Sequence, residues 1–100
     1  MNEQKSHPVV KPLFPIGQIV ATPGAIALLG QHGISAFDLL HRHAHGDWGD
    51  LPSDDLSANS AALKNGNRLL SAYRVGATGK VWLVTEHDRS ATTILLPSDY

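Results

Sequence analysis

Arg68-Leu69-Leu70-Ser71-Ala72-Tyr73-Arg74-Val75, Gly76-Ala77-Thr78-Gly79 and Lys80-Val81-Trp82-Leu83-Val84-Thr85-Glu86 decide the fold of this chain. Two runs rich in β-branched and aromatic residues flank a four-residue segment of turn formers, which is the signature of a β-hairpin. A third run, Thr92 to Leu96, follows a polar connection, so the C-terminal third predicts a three-stranded antiparallel meander over Arg68 to Val75, Lys80 to Glu86 and Thr92 to Leu96. In the middle strand Val81, Leu83 and Thr85 project to one face and Lys80, Trp82, Val84 and Glu86 to the other. Apolar side chains on both sides predict that both faces are at least partly covered.

Upstream of Gly66 the period changes from two to that of a helix. Gly17-Gln18-Ile19-Val20-Ala21 reads as a short strand, and Thr22-Pro23 supplies a capping hydroxyl and a first-turn proline for a helix running to about Gln31. Gly33 ends it. Ser35 with Asp38 three positions on predicts a carboxylate form of the capping box at the start of a second helix, with Phe37, Leu40 and Ala44 on its buried face and His43 toward solvent. Pro52-Ser53-Asp54-Asp55 opens a third helix through Leu56, Ala62 and Leu63 to Gly66. The expected architecture is α+β: a short N-terminal strand, three helices and a three-stranded antiparallel meander, in the order β-α-α-α-β-β-β. The first strand is placed at an edge or beside the meander. Residues 1–12, polar and with Pro8 and Pro12, read as a flexible arm ahead of a single domain over 13–100.

A hydrophobic fraction of 42% is that of a globular chain, and 100 residues suffice for one core. The formal charge of −1 gives no global attraction to nucleic acid or to an anionic membrane. Without cysteine the chain has neither disulfides nor thiolate metal sites, and no apolar run approaches the length of about 18 residues that would suit a membrane span. These features predict a soluble cytoplasmic protein with no membrane partner. The glycines match neither nucleotide-binding pattern, so no nucleotide and no other cofactor is expected.

Three stretches carry more chemistry than turns require. The first is Glu86-His87-Asp88-Arg89-Ser90-Ala91-Thr92-Thr93, which gathers acid–base groups, a guanidinium and hydroxyls between two strands. It can equally be a hairpin turn built by Asp88 and Ser90, with Glu86 and Arg89 paired across it. The second, Gly46-Asp47-Trp48-Gly49-Asp50-Leu51, would present Asp47, Trp48 and Asp50 as a recognition loop, or would plug the core with Trp48 while the carboxylates cap backbone amides. The third is His41 with His45, four apart on one helical face, a spacing able to chelate a metal but equally suited to a helix C-terminus.

His43-Ala44-His45-Gly46-Asp47-Trp48-Gly49-Asp50-Leu51, Asn59, Gly66, Arg68-Leu69-Leu70-Ser71-Ala72-Tyr73 and the run Val81 to Tyr100 with Thr85-Glu86-His87-Asp88-Arg89-Ser90-Ala91-Thr92-Thr93 together resemble a family of small bacterial proteins labelled hypothetical or plasmid-related. The resemblance spans Leu13 to Tyr100. It implies a bacterial, mobile-element setting and carries over no catalytic residue.

The resulting expectation is a small accessory protein that acts by binding a protein partner, with Asp47, Trp48, Asp50, Glu86, Asp88, Arg89, Ser90 and Thr92 as its recognition surface. The alternative is a metal-independent ribonuclease with the layout of the barnase and RelE type and RNA as its partner. There His87 or His45 would move protons, Arg89 would hold phosphate, and Thr93 or Tyr73 would orient it. A metal site on His41 and His45 is the third reading.

Overall fold

The computed structural model describes residues 11–100, so most of the arm expected over 1–12 lies outside the described residues. β1 (Gln18–Ala21) leads into α1 (Pro23–Gln31), α2 (Ala36–Ala44) and α3 (Ser53–Asn65). β2 (Leu69–Val75), β3 (Gly79–Thr85) and β4 (Ala91–Leu95) follow, and a 3-10 turn over Pro97–Asp99 ends the chain. The class is α+β and the element order is the one the patterning predicts. The sheet, however, is mixed. Its order is β1-β4-β3-β2, the last three pair as an antiparallel meander, and β1 lies parallel to β4 with Gln18 opposite Ala91 and Ala21 opposite Ile94. A parallel neighbour needs a long crossover, and the helical layer between β1 and β2 provides it.

Local signals set most boundaries. The Thr22 hydroxyl accepts from the Ala25 amide at 3.3 Å and donates to Asp99 Oδ2 at 2.8 Å, so one side chain caps α1 and ties the C-terminal turn to it. Gly66, left-handed at φ 74°, closes α3. The capping box expected at Ser35 and Asp38 does not form, since Ser35 makes no side-chain cap bond.

The buried face of α2 also differs from the expected one. Leu40 and Ala44 are buried as expected, but Phe37 is 75% exposed, and Leu39 and His43 are buried beside them. Leu39 and His43 occupy one stripe four residues apart and Leu40 and Ala44 the adjacent one, so α2 turns this pair of stripes inward and His43 goes with them. The main core joins Ala25, Leu29, Leu39 and Leu40 of the helices to Tyr73, Val75, Val81, Leu83 and Ile94 of the sheet. A second cluster of Phe14, Ala62 and Leu69, with Ile16 and Trp48 against it, fixes α3 beside β2.

Candidate functional site

His43 is fully buried, with Nδ1 2.5 Å from Ser71 Oγ and Nε2 2.8 Å from Thr85 Oγ1. The Thr85 and Thr92 hydroxyls are 2.7 Å apart, and Thr92 donates to the Ile16 carbonyl at 2.7 Å. That last bond orients the whole chain. A carbonyl only accepts, so Thr92 gives its proton to Ile16, Thr85 gives its own to Thr92, and Nε2–H of His43 donates to Thr85. Nδ1 is left to accept from Ser71. Phe14 and Trp48 pack edge-on against the imidazole, with ring centroids at 5.2 and 5.6 Å, and burial pushes the His43 pKa down to about 4. The neutral ring thus joins α2, β2, β3, β4 and the segment before β1 through one polarised line.

The Asp47 to Asp50 loop runs along the outer edge of β2. Ala72 N donates to the Trp48 carbonyl at 3.0 Å and Asp50 N donates to the Ala72 carbonyl at 2.7 Å, forming a parallel bridge between Gly49 and Ala72. Gly49 has φ 74°, and a Cβ there would overlap the Ala72 carbonyl oxygen, so only glycine lets the loop come this close. One step along the same edge, Asn59 of α3 donates to the Leu70 carbonyl at 2.7 Å and accepts from Leu70 N at 3.1 Å. The β2 edge is sealed by a loop and by a side-chain amide.

The loop carboxylates have partners of their own. Asp47 pairs with Arg42 at 2.7 Å, which holds its pKa below the usual carboxylate range, while Asp50 pairs with Arg74 at 3.0 Å. The Asp47 carbonyl accepts from the Tyr73 hydroxyl at 2.6 Å, and burial raises the Tyr73 pKa to about 12. The Arg42 guanidinium lies 4.5 Å over the Tyr73 ring. Trp48 turns inward and stacks on Phe14 at 6.1 Å.

In the hairpin after β3, Asp88 Oδ1 accepts from Ser90 N at 3.0 Å, the Asx-turn arrangement, and bonding to Ser90 lowers the Asp88 pKa. Arg89 takes the left-handed position at φ 61° and donates to four carbonyls: Asn67 at 2.7 Å, Glu86 at 3.0 Å, His87 at 3.3 Å and Ala62 at 3.1 Å. Its guanidinium also lies 5.7 Å over Phe14. Arg89 therefore holds the C-terminal end of α3 against the turn, and its bond to Glu86 is to the backbone rather than the carboxylate. Ser90 uses its carbonyl to receive Gln18 N at 2.9 Å, which docks the start of β1.

The acid–base and phosphate-holding residues of the ribonuclease reading are spread over several surfaces. Tyr73 and Thr93 project from opposite faces of the sheet, as the register shows: Tyr73 opposes Val81, whereas Thr93 opposes Val84. Thr92 is buried in the His43 line, while His87 is exposed at the turn. The His41 and His45 rings are tilted against each other by 33° with centroids 4.2 Å apart, and His45 Nδ1 bonds the His41 carbonyl at 2.7 Å. Among the described residues no group of three His, Asp or Glu side chains is placed to hold a metal ion.

The opposite edge of the sheet is built differently. β1 uses its inward amides on β4, as Gln18 N to the Ser90 carbonyl and Thr22 N to the Ile94 carbonyl show, each at 2.9 Å. Backbone groups alternate along a strand, so those of Ile19 and Ala21 point outward. Among the described residues no strand pairs with that side. Gln18, Ile19, Val20 and Ala21 carry no charge, and Ile19 and Val20 are 45% and 43% exposed. Beside Ile19 lies a groove of about 460 Å³ lined by Phe14, Pro15, Ile16, Phe37, Leu40 and Ala44 among others, with the exposed Phe37 at its rim.

Sequence reasoning missed His43, Arg42, Asn59 and the Ser71 and Thr85 hydroxyls. The spacing of Leu39, Leu40, His43 and Ala44 was the available signal for His43. No protein-family model, no curated protein and no solved structure matches the chain.

Proposed function

We propose that this protein is a protein-binding module that accepts an extended, uncharged segment on the β1 edge, with apolar side chains of that segment entering the groove beside Ile19. Its setting is bacterial and linked to a mobile element, as the resemblance of its sequence implies, and cytoplasmic, as its composition without cysteine suggests. The observation that carries the reading is the contrast between the two edges. Unpaired strand edges invite pairing, and proteins blunt them with charge, proline, bulges or cover. Here β2 receives two dedicated covers, whereas among the described residues β1 has none and is flanked by apolar surface. Strand addition uses such an edge for affinity and adjoining pockets for side-chain selection. The ribonuclease alternative draws less support, since the arginine it would use on phosphate bonds four backbone carbonyls.

Co-purification tests this reading. The tagged protein, expressed in bacteria beside an untagged copy of itself, is expected to retain a bound chain that Ile19→Pro releases, because proline removes an outward donor and spares the bonds to β4. Arg74→Ala, on the sealed side, is expected to retain it, and circular dichroism checks that both variants fold. Equal retention by Ile19→Pro, or cleavage of single-stranded RNA by the wild type in the presence of a chelator, would contradict the proposal.

A further inference from the structure

We infer that the segment seated on β1 is β1 of a second copy of this chain, paired antiparallel about a two-fold axis that passes beside Val20. The inference rests on the reading of β1 as a docking edge and names its occupant. Three observations carry it.

The first is self-complementarity. The outward groups belong to Ile19 and Ala21, placed symmetrically about Val20. Antiparallel pairing about that centre sets Ile19 opposite Ala21 of the second copy and Ala21 opposite its Ile19. Each pair exchanges both backbone hydrogen bonds. Val20 then faces its own equivalent as the non-hydrogen-bonded pair, since its amide and carbonyl are turned toward β4.

The second is charge. A two-fold axis brings residues near it close to their own copies, so any charge on the axis would meet its like. Gln18 to Ala21 has none, and its apolar members meet without that repulsion. The same axis, perpendicular to the sheet, puts the helix-covered faces of both copies on one side. The grooves rimmed by Phe37 then flank the joint together, which gives this exposed aromatic a site to be buried.

The third is closure. Among the described residues each chain has one bare edge, because the Trp48–Asp50 loop and Asn59 occupy the other. Pairing two bare edges gives an eight-stranded sheet with sealed ends, so association stops at the dimer instead of continuing as a fibre.

Disulfide trapping reads this register directly, since the chain has no cysteine. A non-hydrogen-bonded antiparallel pair has Cα atoms about 4.5 Å apart, inside the range a disulfide spans. Val20→Cys is therefore expected to give a covalent dimer on mild oxidation. Ile19→Cys alone should remain uncrosslinked, because its two copies are offset by two residues along the strands. An equal mixture of Ile19→Cys and Ala21→Cys should crosslink. Light scattering of the unmodified protein is expected to give twice the chain mass, and Val20→Lys half of that. Equal trapping of Val20→Cys and Ile19→Cys, or no trapping with a monomer mass at high micromolar concentration, would overturn the inference. If a different chain is retained through Ile19 while Val20→Cys is not trapped, self-pairing falls and the docking edge stands. If nothing is retained or trapped, both fall.

Discussion

His43→Ala is expected to lower stability by about 3 to 5 kcal/mol, combining a cavity in the core with buried Ser71 and Thr85 hydroxyls left without their partner. For a domain of this size, whose whole stability is of order 5–15 kcal/mol, a loss of that size brings the protein close to unfolding at room temperature. A urea titration at pH 8 measures it, and an unchanged midpoint would mean that the imidazole does not join the helix to the sheet.

The same residue imposes a pH dependence whose sign follows from its lowered pKa. Above the unfolded value of 6.5 the ring is neutral in both states and carries no penalty. Between 6.5 and about 4 the unfolded chain takes up a proton that the folded one refuses, so stability falls as the pH falls through this window. The full loss is about 3 kcal/mol. His43→Leu, which cannot titrate, is expected to lose stability at pH 8 but to show a flatter profile from pH 7 to pH 4.

Gly49→Ala is the second large effect. Its Cβ would require a left-handed backbone at φ 74° and would overlap the Ala72 carbonyl oxygen and press on the Tyr73 ring. The strain and the displaced bridge bonds together should cost about 2 to 4 kcal/mol. Because the displaced segment also covers β2, the variant is expected to aggregate at concentrations where the wild type stays in solution. A thermal midpoint and a sedimentation profile equal to those of the wild type would show that the loop does not seal the edge.

How much of this was legible in the sequence depends on how local each signal is. The β2–β3 hairpin and β4 follow from alternation within a few residues, and the α1 and α3 ends from Thr22 and Gly66, whose effects act within one turn. The mixed sheet was not legible, because the pairing of β1 with β4 joins Gln18 to Ala91 across nearly the whole chain. His43 was misplaced for a similar reason: its partners stand 28 and 42 residues downstream, and a histidine in a His-Arg-His run looks solvent-facing until Ser71 and Thr85 are seen to receive it. The two dense loops drew notice for their side chains, yet much of what they do is done with backbone atoms. Trp48 and Asp50 seal a strand through a carbonyl and an amide, and the acceptors for Arg89 are carbonyls from α3 and the turn, which residue types do not reveal. The β1 edge, bare among the described residues, was not legible either, since an edge of this kind is defined by which segments lie beside it in space.

Hydrogen exchange of single amides measures that difference between the edges most directly. At millimolar concentration the amides of Ile19 and Ala21 are predicted to exchange slowly in the wild type and quickly in Val20→Lys, while those of Leu70 and Ala72 on the sealed edge stay slow in both. Fast exchange of Ile19 and Ala21 in both proteins at that concentration would contradict the account of β1 as the edge through which two copies pair.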